Sequence, residues 1–157
     1  MPISEYIRHL RARVGHDLIF MPGVMALVFN DAGEILIARD RDSGRWHVIG
    51  GAMDPDEEPA ASAVREVKEE TGLDVRAERL VGVYSGPDAR YANGDRTKYL
   101  TIAIACQTLD DREPRVSDDE LLEVRFCAIS ALPEMSDWVK AKIHRAAANV
   151  RIAELVL

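Results

Sequence analysis

The chain has 157 residues, of which 47% are hydrophobic and 30% charged, as expected for one soluble globular domain with a substantial core. Its net charge of −7 argues against a broad basic surface for nucleic acid. No apolar run reaches membrane-spanning length, and the N-terminus lacks the apolar core of a signal peptide. We therefore expect a cytoplasmic protein with no nucleic-acid or membrane partner.

The N-terminal segment has the pattern of an amphipathic helix. Apolar residues recur at helical spacing, and the helix is predicted over residues 4–14, ending at Gly15. These apolar residues are Ile3, Ile7, Leu10 and Val14. Packing of this helix on the domain and packing on a second subunit are both open from the sequence.

Apolar runs further along the chain predict strands separated by turn-rich loops. Strands are expected at 24–29, 34–39, 45–49, 74–84, 98–107 and 121–128. The run 98–107 (KYLTIAIACQ) is predicted to be central in the sheet, and residues 85–95 and 109–119 are predicted to be loops. Cys106 and Cys127 lie in apolar runs and are expected to be reduced core residues.

A closing helix is predicted over residues 136–150. Its packed face would carry Val139, Ile143, Ala147 and Val150. Strands mixed with helices predict an α/β domain in which helices cover a mixed sheet. We see no linker or repeat, so one domain is expected over residues 1–157.

The middle of the chain predicts a helix with an unusual density of carboxylates. Acidic residues and Pro55 stand at its entrance, good helix formers run from Ala60 to Glu70, and Gly72 follows as a stop. Advancing about 100° per residue predicts a stripe that faces the core. The stripe contains Ala60, Ala63, Val64, Val67 and Thr71.

The carboxylates of this helix are crowded on one side. Glu66 and Glu70 are four residues apart, Glu69 lies on the same side, and Glu57 is roughly half a turn from Glu66. A solvated acidic face is the alternative, but such faces usually alternate the sign of charge. Because like charges at this spacing repel, the pattern favours a hard divalent cation, Mg²⁺ with Mn²⁺ as a substitute.

Residues 51–73 resemble the Nudix box of the Nudix hydrolases. Gly51, five residues, Glu57, seven residues and then REVxEExGL fill all nine specified positions at the fixed spacing. One departure lies upstream, because Ile49 stands where the family often has a proline before the paired glycines. The resemblance implies the Nudix fold, an α/β/α sandwich with a mixed sheet, in which the acidic side of the box helix faces a cleft.

The resemblance also implies an activity and a set of roles. The reaction would be Mg²⁺-dependent hydrolysis of a nucleoside diphosphate linked to a further group X. Glu66 and Glu70 are the first choice as metal ligands, followed by Glu69, with a backbone carbonyl near Gly51 completing the site. The expected catalytic set is Glu66, Glu69, Arg65 and Glu57, of which the last two would form an orienting ion pair. The base would be one of the box glutamates, or a later acid among Asp118, Asp119, Glu120 and Glu123.

The substrate is less narrowly predicted. Arg39 and Arg45 could grip phosphates and Trp46 could stack on a base, although surface arginines and a packed tryptophan are the alternatives. Pro87, fifteen residues after Gly72, resembles a proline of Nudix enzymes that cleave ADP-ribose and slightly favours ADP-ribose or a nucleotide sugar. Nucleoside triphosphates, including oxidised ones, and diadenosine polyphosphates are the alternatives.

A non-catalytic, nucleotide-sensing Nudix domain is the alternative from another class. It is disfavoured because such domains usually lose a box carboxylate, whereas this chain keeps all of them. The family resemblance further suggests a homodimer, because many Nudix proteins pair.

Overall fold

The computed structural model describes residues 4–91 and 93–156. The helices within them are α1 (Glu5–Val14), α2 (Pro59–Thr71) and α3 (Asp137–Ala147), with a 3-10 turn at Ile129–Ala131. The strands are β1 (Leu18–Phe29), β2 (Ile35–Asp40), β3 (Trp46–His47), β4 (Gly50–Ala52), β5 (Val75–Arg90), β6 (Arg96–Thr108) and β7 (Leu121–Cys127). Ile3, part of the predicted α1 pattern, lies outside the described residues. No described helix has both the length and the apolarity needed to cross a bilayer.

The strands form one mixed sheet with β6 in its interior. The main path is β3-β2-β1-β6-β5, while β4 pairs with β1 and β7 pairs with β2. β1 and β6 run parallel, from Leu18 opposite Arg96 to Phe29 opposite Gln107. The other pairings are antiparallel. The prediction that 98–107 is a central strand is confirmed.

Two apolar layers cover the sheet, one on each face. Side chains alternate along β1, so Ala26 packs in the layer under α2 and Leu27 in the layer under α3. α2 contributes Val67 to the first layer and α3 contributes Ile143 to the second, and both side chains are fully buried. The α/β/α sandwich is confirmed.

The predicted loop at 85–95 is wrong for its first half, because β5 continues to Arg90. The pairing of β5 with β6 shifts register between Ser85 and Asp88. This irregularity accommodates Gly86 and Pro87, which interrupt a regular strand. The turn-like composition was misleading because pairing along the long β6 overrides it. β1 also starts earlier than predicted, at Leu18, and the predicted strand 45–49 contains only the two-residue β3.

The predicted core stripe of α2 is wrong at one edge. Ala60 is exposed, whereas Ser62, Glu66 and Glu70 are buried together with the apolar residues. The buried face therefore includes the carboxylates. Glu57 lies before the helix, which begins at Pro59, and is not on it as predicted.

α3 is shorter than the predicted 136–150 and its buried face is shifted. Val139 and Ile143 are buried as predicted, but Ala147 is exposed and Val150 lies beyond the helix. Lys142 and Ala146 are buried on this face instead. Lys142 is accommodated because its ammonium lies over the rings of Tyr84 and Trp138, 4.4 Å from each ring centre. Cys106 and Cys127 are free and buried, as predicted.

Val67→Ala should lower the free energy of unfolding by about 1–3 kcal/mol, because it removes two methyl groups from a closely packed layer. Turnover per folded molecule should not change. Denaturant unfolding measures the loss, with Val150→Ala at an exposed position as the control. An unchanged unfolding midpoint for Val67→Ala would contradict the packing of α2 on the sheet.

Candidate active site

The ends of α2 fix the position of the carboxylates that it carries. Pro59 occupies the first helical position, where its missing N–H costs nothing. Gly72 ends the helix in the left-handed conformation with φ 71°, and its N–H donates to the carbonyl of Lys68 at 3.0 Å. The helix in between presents Glu66 and Glu70 on its buried face.

Glu66 and Glu70 are buried to an extent that is unusual for carboxylates. The exposed fraction is 0% for Glu66 and 5% for Glu70. Arg65 Nη1 lies 3.0 Å from Glu66 Oε1, yet neither oxygen of Glu66 accepts a well-aligned hydrogen bond within the part of the chain that the structure describes. A buried charge without such partners costs stability. Folding alone therefore gives no reason for this pair.

The electrostatic environment of the pair resists ionisation. Burial raises the pKa of Glu66 to about 7. Burial and then the charge of Glu66 raise the pKa of Glu70 to about 8, and Asp118 and Glu120 add to that rise. A divalent cation bound to Glu66 and Glu70 would remove this repulsion. Protons would compete with the cation for the same carboxylate oxygens.

β4 brings a glycine directly against Glu66. Gly51 lies opposite Val24 in the β1–β4 pairing. A Cβ atom added at Gly51 would stand 2.6 Å from Cδ of Glu66, closer than real contacts allow. Only glycine therefore lets the Glu66 carboxylate lie against the backbone of the box loop.

Gly51→Ala should displace the Glu66 carboxylate and lower divalent-cation affinity about 10-fold or more, in the range seen when groups that orient a metal ligand are changed. Titration calorimetry with Mn²⁺ measures the effect. Gly33→Ala is the control, because it strains a turn with φ 74° but has no neighbour near its Cβ. It should lower stability without lowering cation affinity. Equal affinities of Gly51→Ala and wild type would show that this close contact does not matter.

Arg65 ties the box loop to the helix. Its Nε and Nη2 donate to Glu57 Oε1 and Oε2 at 2.7 and 2.9 Å, a two-pronged ion pair. Its Nη1 donates to Glu69 Oε2 at 3.2 Å. Hydrogen bonding to Arg65 holds the pKa of Glu57 below its usual range. The structure thus brings all four predicted catalytic residues together, with Arg65 in contact with the other three.

A cleft of about 1890 Å³ opens beside the acidic pair. Glu70, Gly50 and Gly51 lie in its wall. Further lining comes from α1, β1, the end of β5, the first half of β6, residues 47–49 and the loops around residues 40–43 and 116–120. The cleft exceeds the usual size of a small-molecule pocket, so it has room for more than a mononucleotide.

The residues predicted to bind substrate lie outside the lining of this cleft. Arg39 is exposed and donates to the carbonyl of Gly44 at 3.0 Å. Arg45 is exposed on the same loop. Trp46 is half-buried and packs against the layer under α3, with the guanidinium of Arg125 4.8 Å from its ring centre. Contact of these three with substrate stays a prediction.

Of the four later carboxylates that were candidates for the general base, three lie at the cleft and one lies elsewhere. Asp118 and Glu120 lie near enough to Glu70 to raise its pKa, after burial and Glu66. Asp119 lines the cleft between them. Glu123 instead lies on β7, opposite Arg39, with an oxygen 3.3 Å from Arg125 Nε.

Two cleft residues, Arg11 and Tyr99, make contacts that the sequence did not predict. Arg11 of α1 donates to the carbonyls of Asp17 and Arg96, both at 2.7 Å, and so fixes α1 at the cleft. Tyr99 fills the space above Gly23, where an added Cβ would stand 2.8 Å from its ring. The apolar patterns of α1 and β6 predicted which side of each element is buried. They did not indicate which residues of other elements Arg11 and Tyr99 would contact.

A preformed cage of three metal-ligating side chains is not found among residues 4–91 and 93–156. Mg²⁺ commonly takes one or two carboxylates and completes its shell with water and substrate phosphates. Three observations fit such an ion: the buried oxygens of Glu66 accept no well-aligned hydrogen bond from the described residues, the pKa of both glutamates is raised, and the donors are all oxygens. Glu69, with about half of its side chain exposed, is placed to join them if it leaves Arg65.

The family model of the NUDIX domain matches residues 19–147, most of the chain. The chain belongs to the Nudix hydrolase family. Mouse diphosphoinositol polyphosphate phosphohydrolase 2 is 36% identical over 83 residues, 53% of this chain and 44% of that protein. A putative 8-oxo-dGTP diphosphatase of Bacillus subtilis (strain 168) is 35% identical over 69 residues, 44% of this chain and 46% of that protein. These alignments span about half the length of the curated relatives.

Solved Nudix structures share the fold of this chain. An ADP-ribose pyrophosphatase from Streptococcus suis 89-1591 superposes with a TM-score of 0.63 at 24% identity, over 88% of this chain and 96% of that one. A UDP-X diphosphatase superposes with a TM-score of 0.61 at 23% identity, over 90% of this chain and 68% of that one. At these identities the likeness shows the Nudix fold alone.

Proposed function

We propose that this Nudix protein is a Mg²⁺-dependent pyrophosphohydrolase that cleaves a nucleoside diphosphate linked to a further group X. The observation that carries the proposal is the buried Glu66–Glu70 pair. The oxygens of Glu66 accept no well-aligned hydrogen bond from the described residues, and Glu70 lies in the wall of a large cleft. Such a pair is costly to fold and becomes useful once a divalent cation occupies it.

Each box residue has a role in this proposal. Glu66 and Glu70 hold the cation, and Glu69 and the backbone at Gly51 supply further oxygen donors. Bound Mg²⁺ would neutralise the diphosphate, polarise phosphorus and lower the pKa of a bound water. Arg65 and Glu57 hold the box loop in register with α2, so that the carboxylates and the loop backbone keep a fixed geometry.

We propose Asp118 or Glu120 as the general base, ahead of Glu69. Their loop is fastened to the end of α2, because Ser117 N donates to the carbonyl of Glu70 at 3.0 Å. Arg115 N likewise donates to the carbonyl of Thr71 at 3.1 Å. This fastening keeps the two carboxylates beside Glu70, where the attacking water would have to give up its proton.

A nucleotide sugar or ADP-ribose is the favoured substrate type. Pro87 lines the cleft, and the family resemblance associates a proline at this spacing with ADP-ribose cleavage. Hydrolysis of nucleoside triphosphates is the alternative, since the Bacillus subtilis relative is named as a putative 8-oxo-dGTP diphosphatase. Diadenosine polyphosphates and a non-catalytic sensing role are further alternatives.

A phosphate-release assay tests the proposal on a panel of nucleotide sugars, ADP-ribose, nucleoside triphosphates and diadenosine polyphosphates, with Mg²⁺ and with EDTA. We expect turnover of at least one diphosphate substrate that disappears in EDTA. Binding of nucleotide without turnover on any substrate would support the sensing role instead. Turnover that persists in EDTA would contradict the metal-dependent proposal.

Location and assembly complete the proposal. The two free, buried cysteines fit a reducing compartment such as the cytoplasm. A homodimer is proposed from the family resemblance, and sedimentation analysis would measure it directly.

A further inference from the structure

Thr101 is a buried cleft residue whose hydroxyl group has no partner in the described chain. It lies on β6, lines the cleft and exposes only 8% of its surface. Two other buried threonines use their hydroxyls inside the protein. Thr71 donates to the carbonyl of Val67 at 2.6 Å, and Thr97 accepts from Arg11 Nη2 at 3.1 Å. A buried hydroxyl that makes no such bond costs stability.

The Thr101 hydroxyl is open to the cleft. Among residues 4–91 and 93–156, the fully enclosed side-chain oxygens and nitrogens without a hydrogen bond are the two oxygens of Glu66. The side chain of Thr101 makes no hydrogen bond to a described residue, yet its oxygen is not among these enclosed atoms. The oxygen is therefore accessible from the cleft, where a bound group can pair with it.

Two glycines shape the space around this hydroxyl. Gly86 of β5 leaves the hydroxyl uncovered, because an added Cβ atom would stand 3.1 Å from Thr101 Oγ1. Gly23 of β1 is paired with Thr101 and lets the ring of Tyr99 lie against β1. Neither Gly23 nor Gly86 has a left-handed φ. Glycine is thus needed at these positions for space and not for the conformation of the backbone.

Aromatic rings stand on two sides of Thr101. Tyr99 precedes it by two residues on the same face of β6 and lines the cleft. On the other side, Trp138 of α3 lines the cleft and packs edge-to-face on Tyr84, with ring centres 6.2 Å apart. Tyr84 is the residue of β5 that pairs with Thr101. Aromatic walls with one polar group between them suit a planar heterocycle.

The strand order places Thr101 within reach of a nucleotide bound at the acidic pair. Gly51 of β4 lies against Glu66, and β4 pairs with β1. Gly23 of β1 in turn pairs with Thr101 of β6. Two strand spacings, roughly 10 Å, therefore separate the box loop from Thr101. The ribose of a nucleotide whose diphosphate is held at Glu66 and Glu70 would bridge this gap and direct its base toward Thr101.

We propose that this part of the cleft is the subsite for the nucleobase of the substrate, a planar heterocycle with a hydrogen-bonding edge. The subsite consists of Thr101, Gly86, Tyr99 and Trp138. The inference rests on the proposed pyrophosphohydrolase function. The Thr101 hydroxyl pairs with the edge of the base, and because a hydroxyl both donates and accepts, a carbonyl, a ring nitrogen or an amino group can be its partner. Tyr99 and Trp138 pack against the ring of the base.

Thr101→Val tests the subsite, because it removes the hydroxyl and keeps the branched shape of the side chain. Thr108→Val is the matched control, since Thr108 is half-buried on the same strand but outside the cleft lining of the described chain. Gly86→Ala covers the hydroxyl without removing it. Calorimetry in Ca²⁺ measures dissociation constants for ADP, GDP, UDP and the base-free ligand pyrophosphate. Values of kcat/KM are measured for ADP-ribose and UDP-glucose in Mg²⁺.

We expect the wild type to bind at least one of the three nucleoside diphosphates more tightly than pyrophosphate. Thr101→Val should weaken binding of that nucleotide about 3–10-fold, the range of one hydrogen bond, and change pyrophosphate binding less than about 2-fold. Gly86→Ala should also weaken the nucleotide selectively, and adding Thr101→Val to it should weaken binding no further, because both changes remove the same contact. Thr108→Val should change neither ligand.

Denaturant unfolding checks the fold of each variant. Thr101→Val should be at least as stable as the wild type, because it removes a buried hydroxyl that has no partner in the described chain. A loss of nucleotide affinity in a fully stable variant is then a loss of contact with the ligand.

Equal weakening of nucleotide and pyrophosphate in Thr101→Val would place Thr101 at the phosphates and overturn the inference. Unchanged binding of both ligands, or a wild type that binds pyrophosphate as tightly as every nucleoside diphosphate, would also overturn it. Thr101-dependent nucleotide binding without turnover would support the subsite while contradicting the proposed activity. Turnover of ADP-ribose or UDP-glucose with the same kcat/KM in Thr101→Val would overturn the subsite and leave the proposed activity standing.

Discussion

Glu70→Gln should abolish most turnover while leaving the fold intact. The substitution removes a charge from the cation site but keeps the volume of the buried side chain, so packing of α2 is preserved. We expect a loss of kcat of about 10²–10⁴-fold, the usual range when a group that stabilises charge in the reaction is removed. Steady-state kinetics on the best substrate of the panel, with circular dichroism to check the fold, measures the effect.

Glu58→Gln is the matched control for this loss. Glu58 precedes α2 in the same acidic segment, is exposed and makes no capping hydrogen bond with its side chain. The control should keep full activity although it loses the same charge. Full activity of Glu70→Gln at saturating Mg²⁺ would remove Glu70 from the set of ligands.

The metal-free protein should lose stability as the pH rises from about 5 to 8. Burial raises the pKa of Glu66 to about 7 and of Glu70 to about 8, against an ordinary value of 4.5. Below the ordinary value both folded and unfolded states hold these protons, so no penalty arises. Above pH 4.5 the unfolded chain releases these protons while the folded chain still retains them. The free energy of unfolding therefore falls as the pH rises, until the pH has passed the pKa values of the folded chain. Over this pH range the two shifts together correspond to a loss on the order of 6 kcal/mol.

Denaturant unfolding in EDTA across this pH range measures the effect. In the variant Glu66→Gln/Glu70→Gln the decline should be much smaller, and the variant should be more stable than the wild type at pH 8. Mg²⁺ should restore wild-type stability more strongly at pH 8 than at pH 6, because it binds only the ionised carboxylates. A wild type whose stability rises over this range would contradict the burial of an unrelieved pair.

Both results would follow from one property of the site: without a bound ion, the buried carboxylates lower the stability of the folded chain. The Glu66 carboxylate lies against the backbone at Gly51 and accepts no well-aligned hydrogen bond from residues 4–91 and 93–156. Replacing it would stabilise the chain and remove the activity, as is common for functional sites. The ion pair between Arg65 and Glu57 keeps this arrangement in register without neutralising Glu70.

The sequence predicted the layers of the fold because apolar periodicity is set by burial. Strand β6, in which most of residues 101–106 are buried, and the buried Val139 and Ile143 of α3 followed from this pattern. The pattern failed at β5, where Gly86 and Pro87 resemble a turn and only pairing with β6 reveals a strand. It also failed on α2, where helical phase alone did not place Glu66 and Glu70 on the buried side.

The candidate site was predictable only where its residues are close in sequence. The fixed spacing of the box placed Glu57, Arg65 and Glu69 in one group, and their contacts agree with that grouping. The loops at residues 40–43 and 116–120, which line the cleft, are about eighty residues apart in the chain and are joined through Arg41. Contacts over such separations depend on the sheet, so no local pattern could have indicated them.

Titration of the metal-free chain with Mn²⁺ by calorimetry at pH 8, beside Glu66→Gln/Glu70→Gln, tests the central claim most directly. We predict saturable binding to the wild type, release of protons on binding, and at least a 100-fold weaker affinity in the variant. Binding of equal strength to both proteins, or no binding to the wild type with or without nucleotide, would contradict the claim that the buried pair exists to hold a divalent cation.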